Sequence, residues 1–165
     1  MPKYSGALST EYIKQCVSGA EQYKRDIKKK VSDVLQAVAD KGKEICLERC
    51  SWLHIHDSGK LMDSIEAVVD VTTGKAFVRA NCDYAVFVEF GTGLVGERQS
   101  YPNTAKVNEA GYIYNGGAHH VNVGTPYEGW YYPKHGVWIF TQGYRSRPFM
   151  LETAEQLKEW LNGIS

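Results

Sequence analysis

The sequence has no excess charge of either sign, because 19 lysines and arginines balance 19 aspartates and glutamates. Bulk electrostatics therefore favours neither nucleic acid, nor an anionic membrane, nor an acidic substrate as a partner. No run approaches the roughly 18 apolar residues that a membrane span needs, and the first residues lack the apolar stretch of a signal peptide. We expect synthesis in a cytoplasm and no contact with a membrane.

Cysteine is scarce, with only Cys16, Cys46, Cys50 and Cys82 in 165 residues. Four scattered cysteines cannot cross-link a chain of this size, so we expect no disulfide framework. The composition, 43% hydrophobic and 23% charged, is typical of globular proteins. The length favours a single domain that covers the whole chain, 1–165, and that buries a substantial core.

Recognised catalytic signatures are also lacking. A nucleophile and base can be paired on paper, as with Ser58, His56 and Asp57, but no nucleophile elbow or oxyanion loop accompanies them. We therefore expect no enzymatic activity and no cofactor. One alternative comes from Cys46, Cys50, His54 and His56, which place four zinc-type ligands within eleven residues. A zinc-stabilised or hydrolytic small protein is thus a second interpretation, although this spacing is not that of the usual zinc fingers.

Two segments have helical periodicity. Apolar residues recur every three or four positions over 9–50, which predicts a long helix that Ser9 or Thr10 can cap and that can break or bend near Gly42. A second helix is predicted over 146–164, with Ser146 as its cap and Pro148 in its first turn. The first helix carries a basic cluster whose side chains surround most of its circumference. The basic cluster comprises Lys24, Arg25, Lys28, Lys29 and Lys30.

The region between the helices is typical of β structure. Residues 62–90 contain a hairpin and a following segment. The hairpin spans 64–82 and turns at Thr73 and Gly74, and the segment after it, 84–91, fits either a third strand or a short helix. Residues 91–145 form an excursion that holds ten of the 16 glycines and seven of the 11 tyrosines. Within it, Asn115 and Gly116 predict a projecting β-hairpin, and 137–142 predicts a strand that returns to the main sheet.

This element order predicts an α+β fold in which a long N-terminal helix and a C-terminal helix cover an antiparallel sheet of about four strands. The tyrosines of the excursion also permit a third interpretation, a module that stacks the bases of single-stranded nucleic acid. The balanced charge argues against that function, because such modules combine stacking with a positive groove.

Three short motifs occur in a fixed order: "DSGKLMDSI" at 57–65, "YAVFVEFGTG" at 84–93 and "SRPFM" at 146–150. Together they resemble the small head-to-tail joining proteins of tailed phages, also described as neck, tail completion or putative morphogenesis proteins. The resemblance spans most of the chain, and the excursion is its least comparable part. The residues that match the motifs are Ser58, Gly59, Leu61, Ser64, Ile65, Tyr84, Ala85, Val88, Glu89, Phe90, Gly91, Thr92, Arg147, Pro148 and Phe149.

The resemblance implies a structural virion protein at the neck or the head-proximal end of the tail. It implies a homo-oligomeric ring that contacts head-completion or connector proteins on one side and tail tube or terminator proteins on the other. DNA would pass through the lumen without sequence recognition, with the basic cluster as the candidate lining. Departures from the family pattern include Ser146 before the arginine and the length of the segment 94–144.

Most motif residues have an expected structural role, as glycines for special backbone angles or as apolar core groups. Glu89 is the exception, because a carboxylate among apolar neighbours requires a cationic or amide partner if it is buried. Arg147 is the candidate cation, on the basis that both residues belong to the resembled motifs. The alternative is that Glu89 faces solvent or caps a turn.

Overall fold

The computed structural model describes residues 9–55, 59–99, 101–112 and 129–164, and it confirms the α+β class. Helices and small antiparallel sheets alternate along the chain. In order, the elements are α1 Thr10–Trp52, α2 Lys60–Asp63, β1 Ile65–Asp70, β2 Lys75–Ala80, α3 Ala85–Phe90, α4 Gly93–Arg98, α5 Thr104–Glu109, β3 Trp130–Lys134, β4 Val137–Thr141, β5 Gly143–Tyr144 and α6 Phe149–Asn162.

Helix α1 is a single rod of 43 residues, about 65 Å long at the standard rise. Ser9 caps it as expected, since its Oγ accepts a hydrogen bond from the amide of Tyr12 at 3.2 Å. The helix does not break at Gly42, because α1 is continuous from Thr10 to Trp52. A larger residue at position 42 would place its Cβ 2.8 Å from Val78 Cγ2. Glycine at this position thus lets β2 approach the helix closely, and the tertiary contact offsets its low helix propensity.

Only the second half of α1 belongs to the body of the protein. Its buried face begins at Ala39 and packs against α6, β1 and β2. Every side chain from position 9 to position 31 is exposed. The core lies between the second half of α1, the first hairpin and the start of α6, and it comprises Cys46, Cys50, Ile55, Leu61, Ile65, Cys82 and Phe149.

The strands form two separate hairpins within the described residues. The first, β1 with β2, pairs Ile65 with Ala80 and Asp70 with Lys75, which confirms the predicted turn at 73–74. The prediction of one sheet of about four strands is wrong. The strand β4 does not return to the first hairpin; it pairs with β3 in a second antiparallel hairpin, in which Trp130 lies opposite Thr141.

The ambiguous segment after β2 is helical as α3, and Gly91 ends it with a φ of 84°. The described part of the excursion contains the unpredicted helices α4 and α5 before β3. The predicted finger at Asn115 and Gly116 lies outside the described residues, as do Ser58 and His56. In the part of the chain that is described, no helix is both long enough and apolar enough to cross a bilayer.

Helix α6 starts three residues later than predicted, at Phe149, and ends before Gly163 as expected. Ser146 does not cap it. The Ser146 hydroxyl instead donates to the backbone carbonyl of Glu89 at 2.6 Å. The first amides of α6 are therefore satisfied by a different group, which lies at the centre of the candidate site.

Candidate functional site

The Glu89 side chain joins α3 to the N-terminus of α6. It is only 7% exposed and belongs to the last turn of α3. Its Oε2 accepts from the Met150 amide at 2.9 Å, and its Oε1 accepts from the Leu151 amide at 3.1 Å. The Tyr101 hydroxyl donates to Oε1 at 2.8 Å. Glu89 thus acts as a helix cap supplied from 60 residues earlier in the sequence.

A carboxylate is well suited to this position, because the first amides of a helix lack partners within it and the helix dipole favours negative charge there. Burial raises the pKa of Glu89, while the Met150 amide, the Tyr101 hydroxyl and the Leu151 amide oppose that rise. Burial and the hydrogen bond to Glu89 also raise the pKa of Tyr101, so this phenol keeps the proton that it donates. The two groups form a stable acceptor and donor pair.

The proposed partner Arg147 does not pair with Glu89. Its guanidinium donates from Nη1 to the backbone carbonyl of His54 at 3.4 Å, while its own amide donates to the Val88 carbonyl at 2.9 Å. Of the two partner types predicted for a buried Glu89, the amide is therefore the correct one and the cation is wrong. Arg147 connects the loop after α1 to the start of α6.

The backbone of the second motif also contacts the third. Gly91 lies against the chain leading into α6, so that a Cβ there would be 2.7 Å from the Ser146 nitrogen and 2.8 Å from the Tyr144 oxygen. Thr92 bridges to Tyr144, whose amide donates to the Thr92 hydroxyl at 3.1 Å. The Tyr112 hydroxyl donates to the Gly91 carbonyl. The second and third motifs therefore form one junction of interlocked backbone.

The remaining motif residues support this junction from the core side. Phe149 is completely buried and packs in the same cluster as Leu61 and Ile65 of the first motif. Gly59 precedes α2 with a φ of 76°, and the Ser64 hydroxyl ends α2 by donating to the Leu61 carbonyl at 2.7 Å. The half-buried side chains of the second motif pack around the cluster or on Tyr101 and Tyr112. These side chains are Tyr84, Ala85, Val88 and Phe90.

Tyr101 and Tyr112 also belong to the site, although no motif in the sequence marks them. Tyr101 is buried, and its ring meets Phe90 edge-on with centroids 4.8 Å apart. The only signal for these residues in the sequence is a tyrosine within a glycine-rich segment, which is shared by seven positions. The structure places the hydroxyls of these two tyrosines on the second motif, where Tyr101 donates to Glu89 and Tyr112 donates to the Gly91 carbonyl.

The zinc interpretation has no geometric support among the described residues, where no group of three or more potential ligands comes together. Cys46 and Cys50 lie side by side in the core, with Cys46 Sγ 3.8 Å from the Met150 sulfur. The hydrogen bond with Cys46 and burial among apolar side chains raise the pKa of the Cys50 thiol. Both cysteines act as small apolar core residues, and His56 lies outside the described residues.

Two surfaces of the protein are rich in exposed groups. The basic cluster lies on the free half of α1 with all five side chains in solvent. The hairpin β3–β4 exposes large apolar side chains, among them Trp138, which is 70% exposed, and Val137, Ile139, Phe140 and Tyr131. Apolar surface of this kind is uncommon on a monomer and is typical of an interaction surface.

The chain was compared with protein-family models, with curated proteins and with solved structures, and it matches none of them.

Proposed function

We propose that this protein is a structural, non-enzymatic component of a tailed-phage virion, which joins head to tail as a ring at the neck or at the end of the tail. The resemblance of its three motifs to head-to-tail joining proteins suggests this function. The proposal depends on one observation: the residues of the resembled motifs and the exposed apolar side chains lie in different parts of the fold. The motifs meet in an interior junction, while apolar side chains of β3–β4 and α1 are presented to solvent.

The junction supports a scaffold better than a reactive centre. Both Glu89 oxygens accept hydrogen bonds from the chain's own donors, so this buried acid is engaged in holding α6. A rigid body of this kind can present aromatic side chains in a fixed orientation, which is how interfaces concentrate binding energy. The aromatic hairpin therefore supplies the candidate contact with a neighbouring virion protein.

A ring requires a heterologous contact, in which one face of a subunit meets a different face of the next. Among the described residues, the chain offers two different apolar surfaces, the hairpin β3–β4 and α1. In this proposal the ring contacts a head-completion or connector protein on one side and a tail tube or terminator protein on the other. The basic cluster then faces the DNA that passes through the lumen, as a salt-sensitive contact without sequence recognition.

Gene deletion with complementation tests the proposal. Deletion from the encoding phage should leave filled heads and separate tails in electron micrographs, and the purified protein should appear at the junction when it is added back. We expect Trp138→Glu to fail in complementation and Val71→Glu to succeed, because both replace an exposed apolar residue but Val71 lies at the turn of the first hairpin. Joined, infectious particles in the absence of the protein would refute the proposed function.

A further inference from the structure

The free half of α1 carries an apolar stripe with the spacing of a coiled coil. From Ile13 the stripe advances by alternating steps of four and three residues, and every member as far as Val34 is exposed. The alternation averages 3.5 residues and continues for more than three heptads, which is the pattern of a seam that packs against another helix. The stripe consists of Ile13, Val17, Ala20, Lys24, Ile27, Val31, Val34 and Val38.

From this pattern we infer that, in the free protein, the stripe pairs with the same stripe of a second copy in antiparallel orientation. The twofold axis passes the helix between positions 25 and 26. This inference is independent of the proposed function, because a twofold contact closes on itself and differs from the head-to-tail contact of a ring.

Packing in the seam favours this register. The antiparallel register places Lys24 opposite the partner's Ile27 and Ala20 opposite the partner's Val31, so that small and large side chains alternate. A parallel, in-register pair would instead place Lys24 against the partner's Lys24 and leave two alanines facing each other. The parallel arrangement therefore brings like charges together and underfills one layer of the seam.

The flanking residues add charge complementarity. Glu21 and Lys28 lie on the same side of the stripe, and the antiparallel register brings Glu21 opposite the partner's Lys28 twice, once on each side of the twofold axis. On the other side, Tyr23 meets the partner's Lys30, which is a suitable pairing of an aromatic face with a cation. All four of these side chains are exposed in the single chain.

The length of the free helix matches the pairing. Ile13 lies opposite the partner's Val38, and the next residue, Ala39, is the first that is buried against the body of its own chain. The register thus uses the projecting helix over about 39 Å without bringing the two bodies into the seam. An isolated helix gains little stability in water from propensity alone, and a partner helix supplies the missing packing.

Charge exchange in the full-length protein tests the inference. Sedimentation equilibrium should give twice the chain mass of 18.5 kDa. Glu21→Lys should weaken dimer affinity roughly tenfold, because it places a lysine opposite the partner's Lys28 in both symmetric contacts. The double variant Glu21→Lys with Lys28→Glu should restore the affinity. Asp33→Lys is the matched control, since it makes the same charge change on the outer face of the helix. Circular dichroism verifies that each variant is folded.

Cross-linking determines the orientation. Cys16 is exposed and lies opposite the partner's Ala37 in the antiparallel register, so a short bis-maleimide should link the dimer of Ala37→Cys. The unaltered protein should not be linked, because its two Cys16 residues are then about 28 Å apart along the helix axis. A monomer at 100 µM, linkage through Cys16 in the unaltered protein, or failure of the double charge variant to recover would overturn the inference.

Discussion

Replacing Glu89 with glutamine tests the role assigned to the junction. Glutamine keeps the shape and one acceptor, but it turns an NH₂ group toward the amide of Met150 or Leu151 and removes the negative charge from the start of α6. Because burial raises the pKa of Glu89, its charge gives no net gain over the unfolded chain, and the expected loss comes from the NH₂ group that faces an amide donor. An unsatisfied buried donor costs about 1–3 kcal/mol, so we expect Glu89→Gln to lower the free energy of unfolding by about 1–3 kcal/mol at pH 7.

Urea denaturation followed by tryptophan fluorescence and circular dichroism measures this loss, with Glu159→Gln on the exposed face of α6 as the charge-matched control. The pH dependence adds a second readout. Burial raises the pKa of Glu89 in the folded state. The contribution of Glu89 to the free energy of unfolding is therefore complete below the pKa of the unfolded chain and declines as the pH rises through the folded pKa. The difference in free energy of unfolding between the natural protein and Glu89→Gln should thus become smaller as the pH rises above about 4. A variant as stable as the control would refute the capping role.

The other predictions concern the core, the close approach of Gly143 to Thr92 and the basic cluster. Phe149→Ala should cost about 3–5 kcal/mol in chemical denaturation because Phe149 is fully buried, whereas Leu161→Ala, in the exposed last turn of α6, should cost under about 1 kcal/mol. Gly143→Ala should cost at least about 2 kcal/mol, since its Cβ would lie 1.9 Å from the Thr92 oxygen, and more than Gly136→Ala, where the Cβ meets open space. If the basic cluster contacts DNA, fluorescence anisotropy should show affinity falling about a hundredfold between 50 and 200 mM salt; a salt-independent affinity would exclude a phosphate contact.

The elements that could be predicted from sequence are those whose local pattern agrees with their packing. Helix α1, the β1–β2 hairpin and α6 are examples, because a continuous 3.6-residue or two-residue period extends over each of them. In the segment 84–91, the local sequence pattern and the packing disagree. Its β-branched and aromatic residues favour a strand, yet the helix turns Glu89 toward α6, so a tertiary contact overrides the local preference.

The cap of α6 illustrates a second limit. Ser146 has the residue type of an N-cap, but it lies two residues before Pro148, which immediately precedes α6. The Ser146 hydroxyl donates to the Glu89 carbonyl, and the Glu89 side chain supplies the cap from another element. A carboxylate that caps a helix across 60 residues leaves no local signature. The sequence could indicate that a buried Glu89 needs a donor, but it could not distinguish the amides of α6 from Arg147.

The position of Phe149 and of the α6 amides has a consequence for biosynthesis. Phe149 completes the core, and Met150 and Leu151 supply two of the donors to Glu89. Contacts of such long sequence separation form late, since the intervening loop must first be closed. The nascent polypeptide therefore emerges from the ribosome with its apolar centre open until α6 has been made, and a variant that lacks α6 should lose the whole core rather than a single peripheral helix.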